Sequence, residues 1–305
     1  MIHPIRLQKG DTIGVTAPAG PPDQEKLQRA IAFFNEMGLR VKLGRNIKQT
    51  RGFLAGTDEE RLSDLHDMII DPEVKAIIFA RGGYGTGRLA DCIDYELIRQ
   101  NPKIIWGYSD ITYLHTAIHQ QTGLITFHGP MLASDIGKSD FDQFSAQLFR
   151  QLFTPTQLDY SEVISPLKVY TAGETVGQLV GGNLSLLVST LGTPYEVETT
   201  GKLLLLEDIG EEPYRIDGML NQLRLAGKLC GAHGIVLGDF SEVNSKVNPS
   251  LTLDEVFTDY FSDFHGPVMS GFKIGHCFPH FSVPLGVWAK LSTIEKRLRI
   301  EPGVK

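Results

Sequence analysis

Residues 103–118, KIIWGYSDITYLHTAI, contain the change of periodicity that decides the fold. Ile104, Ile105 and Trp106 form a continuous apolar run, the pattern of a strand buried on both faces. Ile111, Leu114 and Ile118 then recur at i, i+3 and i+7, along one face of a helix. Only the stretch Gly107 to Asp110 separates the two, so a strand feeds almost directly into a helix. The same alternation precedes it. DTIGVTAPAG (11–20) reads as a strand ending in a Pro/Gly loop, and LRVKLG (39–44) and VKAIIFA (74–80) as two further strands. Between them, Leu27, Ala30, Ile31 and Phe34 mark one helix, which Gly38 is suited to cap. Thr57 and Glu60, at capping-box spacing, open another. Strand and helix in strict alternation predict an α/β fold, a doubly wound (flavodoxin- or Rossmann-like) parallel sheet with right-handed crossovers.

The pattern weakens in TPTQLDYSEVISPLKVYTAGET (154–175), which is polar and turn-rich. A chain of 305 residues suits two domains, and the boundary is expected here: residues 1–160 as the α/β domain, 161–305 as a smaller, β-rich one. In the second, KLLLLED (202–208) and GIVLGD (234–239) read as strands, and Ile216, Met219, Leu220 and Leu223 lie on one face of a helix. VWAKLSTIEKRLRIEPG (287–303) alternates in the manner of strands exposed on one side.

The composition, with 42% hydrophobic and 21% charged residues, is that of a folded globular chain. A net charge of -7 argues against nucleic acid or an anionic membrane as partner. Cys92, Cys230 and Cys277 are too few and too far apart for a disulfide framework or a metal-binding pair. The start lacks the apolar core of a signal peptide, and no apolar run approaches the ~20 residues of a membrane span. A cytoplasmic location is the expectation.

Ser109 stands at the turn between strand and helix, the context of a nucleophile elbow, although GYSDI lacks the second glycine of G-x-S-x-G. Such a turn lifts the hydroxyl off the sheet edge, and the helix start leaves N–H groups free to face a developing oxyanion. A helix-capping serine is the plainer alternative. FARGGYGTGRLAD (79–91) follows the preceding strand. Its glycines do not fit a dinucleotide motif, because Arg88 stands where the third should be, nor a Walker motif. The loop is either an ordinary surface turn or a backbone held close to a ligand, supplying one N–H to an oxyanion hole shared with Asp110.

A serine hydroxyl needs a base. Among nine histidines, His115 falls on an apolar helix stripe and reads as a core residue, whereas His128 remains a candidate near a strand end. His276, in the Gly/Pro-bounded loop FKIGHCFPHFSVPLG (272–286), is a second candidate. His276 and His280 are four apart, as in metal-binding helices, but Pro279 breaks that geometry. Cys277 has no neighbour to activate it as a nucleophile. Glu207, ending a buried strand, is the carboxylate suited to orient an imidazole. Asp208, Glu211 and Glu212, at the strand's end and just beyond, read as a solvated acidic turn and, with His276 and His280, leave a metal-dependent hydrolase as a further reading.

Six ordered stretches, ARGGYGTGRL, GYSDITYLH, TFHGPM, GGNLSLL, LLLLEDIGEEPYRIDGML and GHCFPHFSVPLG, together resemble the serine LD-carboxypeptidases, the muramoyltetrapeptide carboxypeptidases of cell-wall recycling. The resemblance implies a triad of Ser109 as nucleophile, Glu207 as orienting acid and His276 as base, completed where two domains meet. It implies oxyanion donors in the backbone N–H groups of Asp110 and Gly83, no metal or organic cofactor, and a homodimer. The implied reaction cleaves the L,D-amide bond that releases terminal D-Ala from a murein tetrapeptide. The related microcin C self-immunity peptidases imply a peptidyl-nucleotide substrate instead; RGGYG leans toward the tetrapeptide. A binding module without chemistry is the alternative from another class. Arg81, Asn183 and Arg215 are chemically suited to hold a substrate carboxylate.

Overall fold

The computed structural model describes residues 1–246 and 248–305. Its N-terminal half is a layered α/β unit. Strands β1 (Thr12–Thr16), β2 (Arg40–Leu43), β3 (Val74–Phe79), β4 (Ile104–Gly107) and β5 (Thr126–His128) pair in parallel in the order β5-β4-β3-β1-β2. Helices α1 (Gln24–Glu36), α2 (Asp58–Ile70), α3 (Tyr95–Gln100) and α4 (Ile111–Thr122) alternate with them. Local signals account for the boundaries. Thr57 and Glu60 form the expected reciprocal capping box of α2. Gly38 takes the left-handed conformation (φ +84°) just past α1 and donates its N–H to Asn35 O at 3.0 Å. All five residues of β1 and all four of β4 are buried, which explains the unbroken apolar run of β4.

After the short helix α5 (Gln143–Gln147), a second, eight-stranded sheet follows. Its centre is parallel: β8 (Glu174–Asn183), β9 (Leu203–Ile209), β10 (Gly234–Ser241) and β11 (Val268–Ser270). Here α6 (Leu184–Ser189), α7 (Pro213–Leu225), α8 (Lys228–Gly231) and α9 (Leu253–Phe261) intervene, so this half is β-rich but has an α/β centre of its own. Antiparallel strands complete the edges: β6 (Leu158–Ser161), β13 (Trp288–Ser292) and β14 (Arg297–Ile300) beyond β8, and β7 (Lys168–Thr171) beyond β11. Strands β6 and β7 lie in the polar, turn-rich stretch. As edge strands they are only partly covered, so they carry polar residues.

Two features lock the halves together. Strand β12 (Val283–Leu285) leaves the second sheet and pairs antiparallel with β5, setting Val283 opposite His128. The end of β8 docks on the first turn of α4: the Asn183 N–H donates to Thr112 Oγ1 at 3.0 Å. Gly182, at φ +137°, makes that approach possible, since a Cβ there would lie 2.7 Å from Thr112 Oγ1. One apolar core runs through both halves, with Trp106, Phe127 and Phe149 continuing into Tyr160, Phe272 and Phe281. Trp106 stacks on Phe149 at 4.4 Å between ring centroids, and its indole N–H donates to Pro130 O at 2.8 Å. No helix among the described residues is long and apolar enough to cross a membrane.

Candidate active site

Strand β4 ends at Gly107, and two residues later the chain turns at Ser109, which has φ +64°. A non-glycine residue there is strained, because its Cβ crowds the backbone. The turn is held by what surrounds it: Tyr108 O accepts from Ile111 N–H at 3.3 Å and Ser109 O from Thr112 N–H at 2.9 Å. Helix α4 has no side-chain cap. Ser109 therefore does not do the capping work that the plainer reading gave it, and its half-buried hydroxyl is left for other use.

The glycine loop closes over this turn. Asp110, buried, accepts from Thr86 N–H through Oδ2 at 2.9 Å, while its carbonyl accepts from Thr86 Oγ1 at 2.6 Å. Burial raises the Asp110 pKa against the lowering effect of these bonds. Gly82 lies directly over the serine: a Cβ there would sit 2.9 Å from Ser109 Cβ, 3.0 Å from Oγ and 3.4 Å from the Asp110 nitrogen. The missing side chain keeps that space open. Gly83, at φ +117°, packs against Gly20. The N–H groups of Asp110 and Gly83 bond to no acceptor among the described residues, the condition for binding an external oxyanion.

The second half brings Glu207 and His276 together across 69 positions of sequence: His276 Nδ1 lies 2.8 Å from Glu207 Oε2. Glu207 is completely buried near the end of β9, and the His276 ring retains 12% exposure. Gly275 (φ +134°) permits the contact, since a Cβ there would be 2.8 Å from Glu207 Oε2. The carbonyl of His276 accepts from Ser241 Oγ at 2.8 Å, which fixes the loop to the end of β10. Burial works against the Glu207 charge, but the attraction and hydrogen bond of His276, with the His128 imidazole close by, outweigh it and hold the carboxyl at about 2. Burial likewise lowers the His276 pKa, and the Glu207 carboxylate more than reverses that, leaving it above the ordinary value. The His276 ring packs on Tyr108, the residue preceding the serine, at 4.7 Å between centroids. Tyr108 is itself anchored by its hydroxyl on Asp135 at 3.0 Å.

Other candidates have different surroundings. His115 is a core residue, its Nε2 2.8 Å from Gly107 O and its pKa pushed down to about 3 by burial. His128 and His280 are fully buried behind the pair, with ring centroids 5.3 Å apart. Burial pushes the Cys277 thiol up, away from nucleophilic use. Asn183 is not available to a substrate: it is buried, and its amide donates to Asp208 Oδ1 at 3.0 Å. Burial and the Glu207 charge raise Asp208 to about 6. Arg81 and Arg215 are exposed, with Arg215 3.6 Å from Glu211. Glu212 precedes α7 and accepts from the Lys246 N–H at 2.9 Å. Among the described residues no group of three or more His, Cys, Asp or Glu is arranged to hold a metal ion. Sequence reasoning missed the parts played by Gly82, Tyr108 and Asp135; only the density of glycines after β3 pointed to the first.

A strained serine, an imidazole tied to a buried carboxylate and unpaired N–H groups at a helix start and in the glycine loop are the components of acyl transfer through a serine ester. Comparison with known proteins agrees. Residues 13–129 match the LD-carboxypeptidase N-terminal domain and 176–291 the LD-carboxypeptidase C-terminal domain. The chain is 56% identical over 302 residues to the probable murein peptide carboxypeptidase of Bacillus subtilis, covering 99% of this chain and 95% of that one. The crystal structure of muramoyltetrapeptide carboxypeptidase from Oxalobacter formigenes superposes with a TM-score of 0.87 at 30% identity, over 96% of this chain and 100% of that one. The Escherichia coli microcin C7 self-immunity protein MccF is 29% identical over 98% of this chain and 96% of its own length. A structure of MccF with glutamyl sulfamoyl guanosine superposes with a TM-score of 0.91 at 25% identity, over 99% of this chain and 98% of that one. The resemblance read from six short motifs thus extends over both halves of the chain.

Proposed function

The chain belongs to the LD-carboxypeptidase family, and from that premise we propose that it is a serine carboxypeptidase that releases terminal D-Ala from murein tetrapeptides. The observation carrying this reading is the Glu207–His276 pair, formed by the second half and packed on the elbow that bears Ser109. In this reading Ser109 Oγ attacks the carbonyl of the L,D-amide as His276 Nε2 takes its proton. Glu207 fixes the imidazole with Nδ1–H toward itself and stabilises the imidazolium. The N–H groups of Asp110 and Gly83 receive the oxyanion. His276 then returns the proton to the departing D-Ala amine, and water, activated by the same imidazole, hydrolyses the acyl-enzyme. Each step draws only on the elbow and glycine loop of the first half and the Glu207–His276 pair of the second.

The likeness to the B. subtilis and O. formigenes proteins supports a murein peptide as substrate. Three unpaired cysteines suit a reducing, cytoplasmic compartment, and the resemblance to the family supports a homodimer. The test offers purified enzyme a muropeptide tetrapeptide and, separately, a peptidyl-nucleotide, with and without chelator, and follows products by mass spectrometry. D-Ala release that is indifferent to chelator is expected. Turnover of the peptidyl-nucleotide alone would move the chain to the MccF branch. Turnover of neither by folded protein would refute the hydrolase reading.

A further inference from the structure

Behind the Glu207–His276 pair lies an imidazole for which the reaction above has no use. His128, the last residue of β5, is completely buried, and neither of its ring nitrogens has a hydrogen-bond partner among the described residues. Its Nε2 lies 3.6 Å from Glu207 Oε1, the one carboxylate oxygen that also has no partner. The other oxygen, Oε2, is taken by His276 at 2.8 Å. The separation is only a few tenths of an ångström beyond the range of an N–H···O bond, about 2.7–3.2 Å. A bare oxygen on a buried, ionised carboxylate beside a bare N–H is the arrangement that a small ring rotation removes. The backbone already aims His128 at this point: it pairs with Gly107 on one side and Val283 on the other. Its ring is flanked by Tyr108 at 5.5 Å and His280 at 5.3 Å between centroids.

We propose that His128 is the second hydrogen-bond partner of Glu207: its Nε2–H donates to Oε1, and this bond sets how strongly the carboxylate holds His276. His128 is thus a positioning residue, acting through Glu207 and touching no reacting atom. The reason is electrostatic. A carboxylate whose charge is shared between two donors attracts the proton on His276 less than one whose only partner is His276. A base that must start each cycle neutral benefits from that sharing. The other titratable groups near the pair and His128 are Tyr108, His115, Asp135, Asp208, Asp239, Lys273, Cys277 and His280. All of them remain in a His128 variant, so a change on replacing His128 is attributable to it.

The kinetic consequence rests on the proposed function, but the pairing does not, so the test has two readouts. The imidazole of His276 is titrated by NMR in substrate-free wild type, His128→Phe and His128→Gln. Phenylalanine keeps the planar bulk and removes the donor; glutamine restores an N–H. The expected result is an upward shift of the His276 titration by about half a unit or more in His128→Phe, largely reversed in His128→Gln. The acid limb of kcat/KM on tetrapeptide moves up in step, with KM little changed. A His276 titration unchanged in folded His128→Phe, or shifted equally in both variants, overturns the proposal. If His128→Phe does not fold, His128→Met takes its place with the same expectations. Inactivity of the wild type on tetrapeptide would refute the substrate reading and leave the NMR result to decide the role of His128.

Discussion

The elbow at Ser109 and the loop at His276 reach the same site by different routes. Ser109 is placed by its immediate neighbours. An apolar strand, a turn through φ +64° and an apolar helix face all lie within residues 103–118. His276 is placed by distant ones: Glu207 is 69 positions away, Ser241 is 35 away, and β12 must return to the first sheet before the loop is closed. The geometry of Ser109 is therefore local and stored in backbone strain, while that of His276 is tertiary and stored in a buried ion pair. Damage to the first should act on chemistry and leave the pH response of stability unchanged. Damage to the second should act on chemistry, pH response and stability together.

The largest effect that sharpens this contrast is removal of the reacting groups. Ser109→Ala and His276→Ala should each lower kcat on tetrapeptide by about 10³-fold or more, and Glu207→Gln by about 10²–10⁴-fold. Steady-state kinetics on folded variants would check this; near-wild-type turnover in Ser109→Ala would break the comparison outright. Next comes Gly82→Ala. The added Cβ would overlap Ser109 Cβ and crowd its Oγ and the Asp110 nitrogen, so kcat should fall by about 10²-fold, at an overpacking cost of about 1–3 kcal/mol in stability. An unchanged kcat would show that the space above the serine is not used.

The third prediction separates the two regions by pH. The folded-state pKa of Glu207, about 2, lies below its ordinary value of 4.5. The unfolded chain then binds the proton first on acidification. The stabilisation is full above about 4.5 and is lost as pH falls toward 2. His276 is shifted the other way: its stabilisation is full below its ordinary pKa of 6.5 and is lost as pH rises through the raised value. Chemical denaturation across pH should show both slopes in wild type and Ser109→Ala. Both should be much reduced in Glu207→Gln. Identical profiles for all three proteins would contradict the assignment of the ion pair. The smallest effect is expected at the junction. Thr112→Val removes the acceptor for the buried Asn183 N–H and should cost about 1–3 kcal/mol of stability. The accompanying fall in kcat should be smaller than that in Gly82→Ala.

How much of this was legible in the sequence follows the same division. The parallel sheet could be read because buried strands are continuous apolar runs and their helices carry caps such as Thr57 with Glu60. Ser109 could be singled out because its signals are adjacent in sequence. His276, in a Gly/Pro-bounded loop, and His128, near a strand end, are both candidates on local signals, and only family resemblance chooses between them. The structure separates them by exposure: His276 keeps 12% of its ring surface, and His128 keeps none. Asn183 looked suited to a substrate carboxylate because its type is polar. Its use as a donor to Asp208 depends on where β8 ends relative to β9, a register that periodicity does not reveal. Strand β12 was hidden for a similar reason, as three residues centred on Pro284 read as loop until β5 supplies a partner.

The most direct test of a site assembled from both halves is the rate of Ser109→Ala/His276→Ala beside those of the two single variants. If the two residues act as one unit, the double variant should be about as slow as either single variant. Losses that multiply, each residue contributing its full effect in the absence of the other, would contradict it.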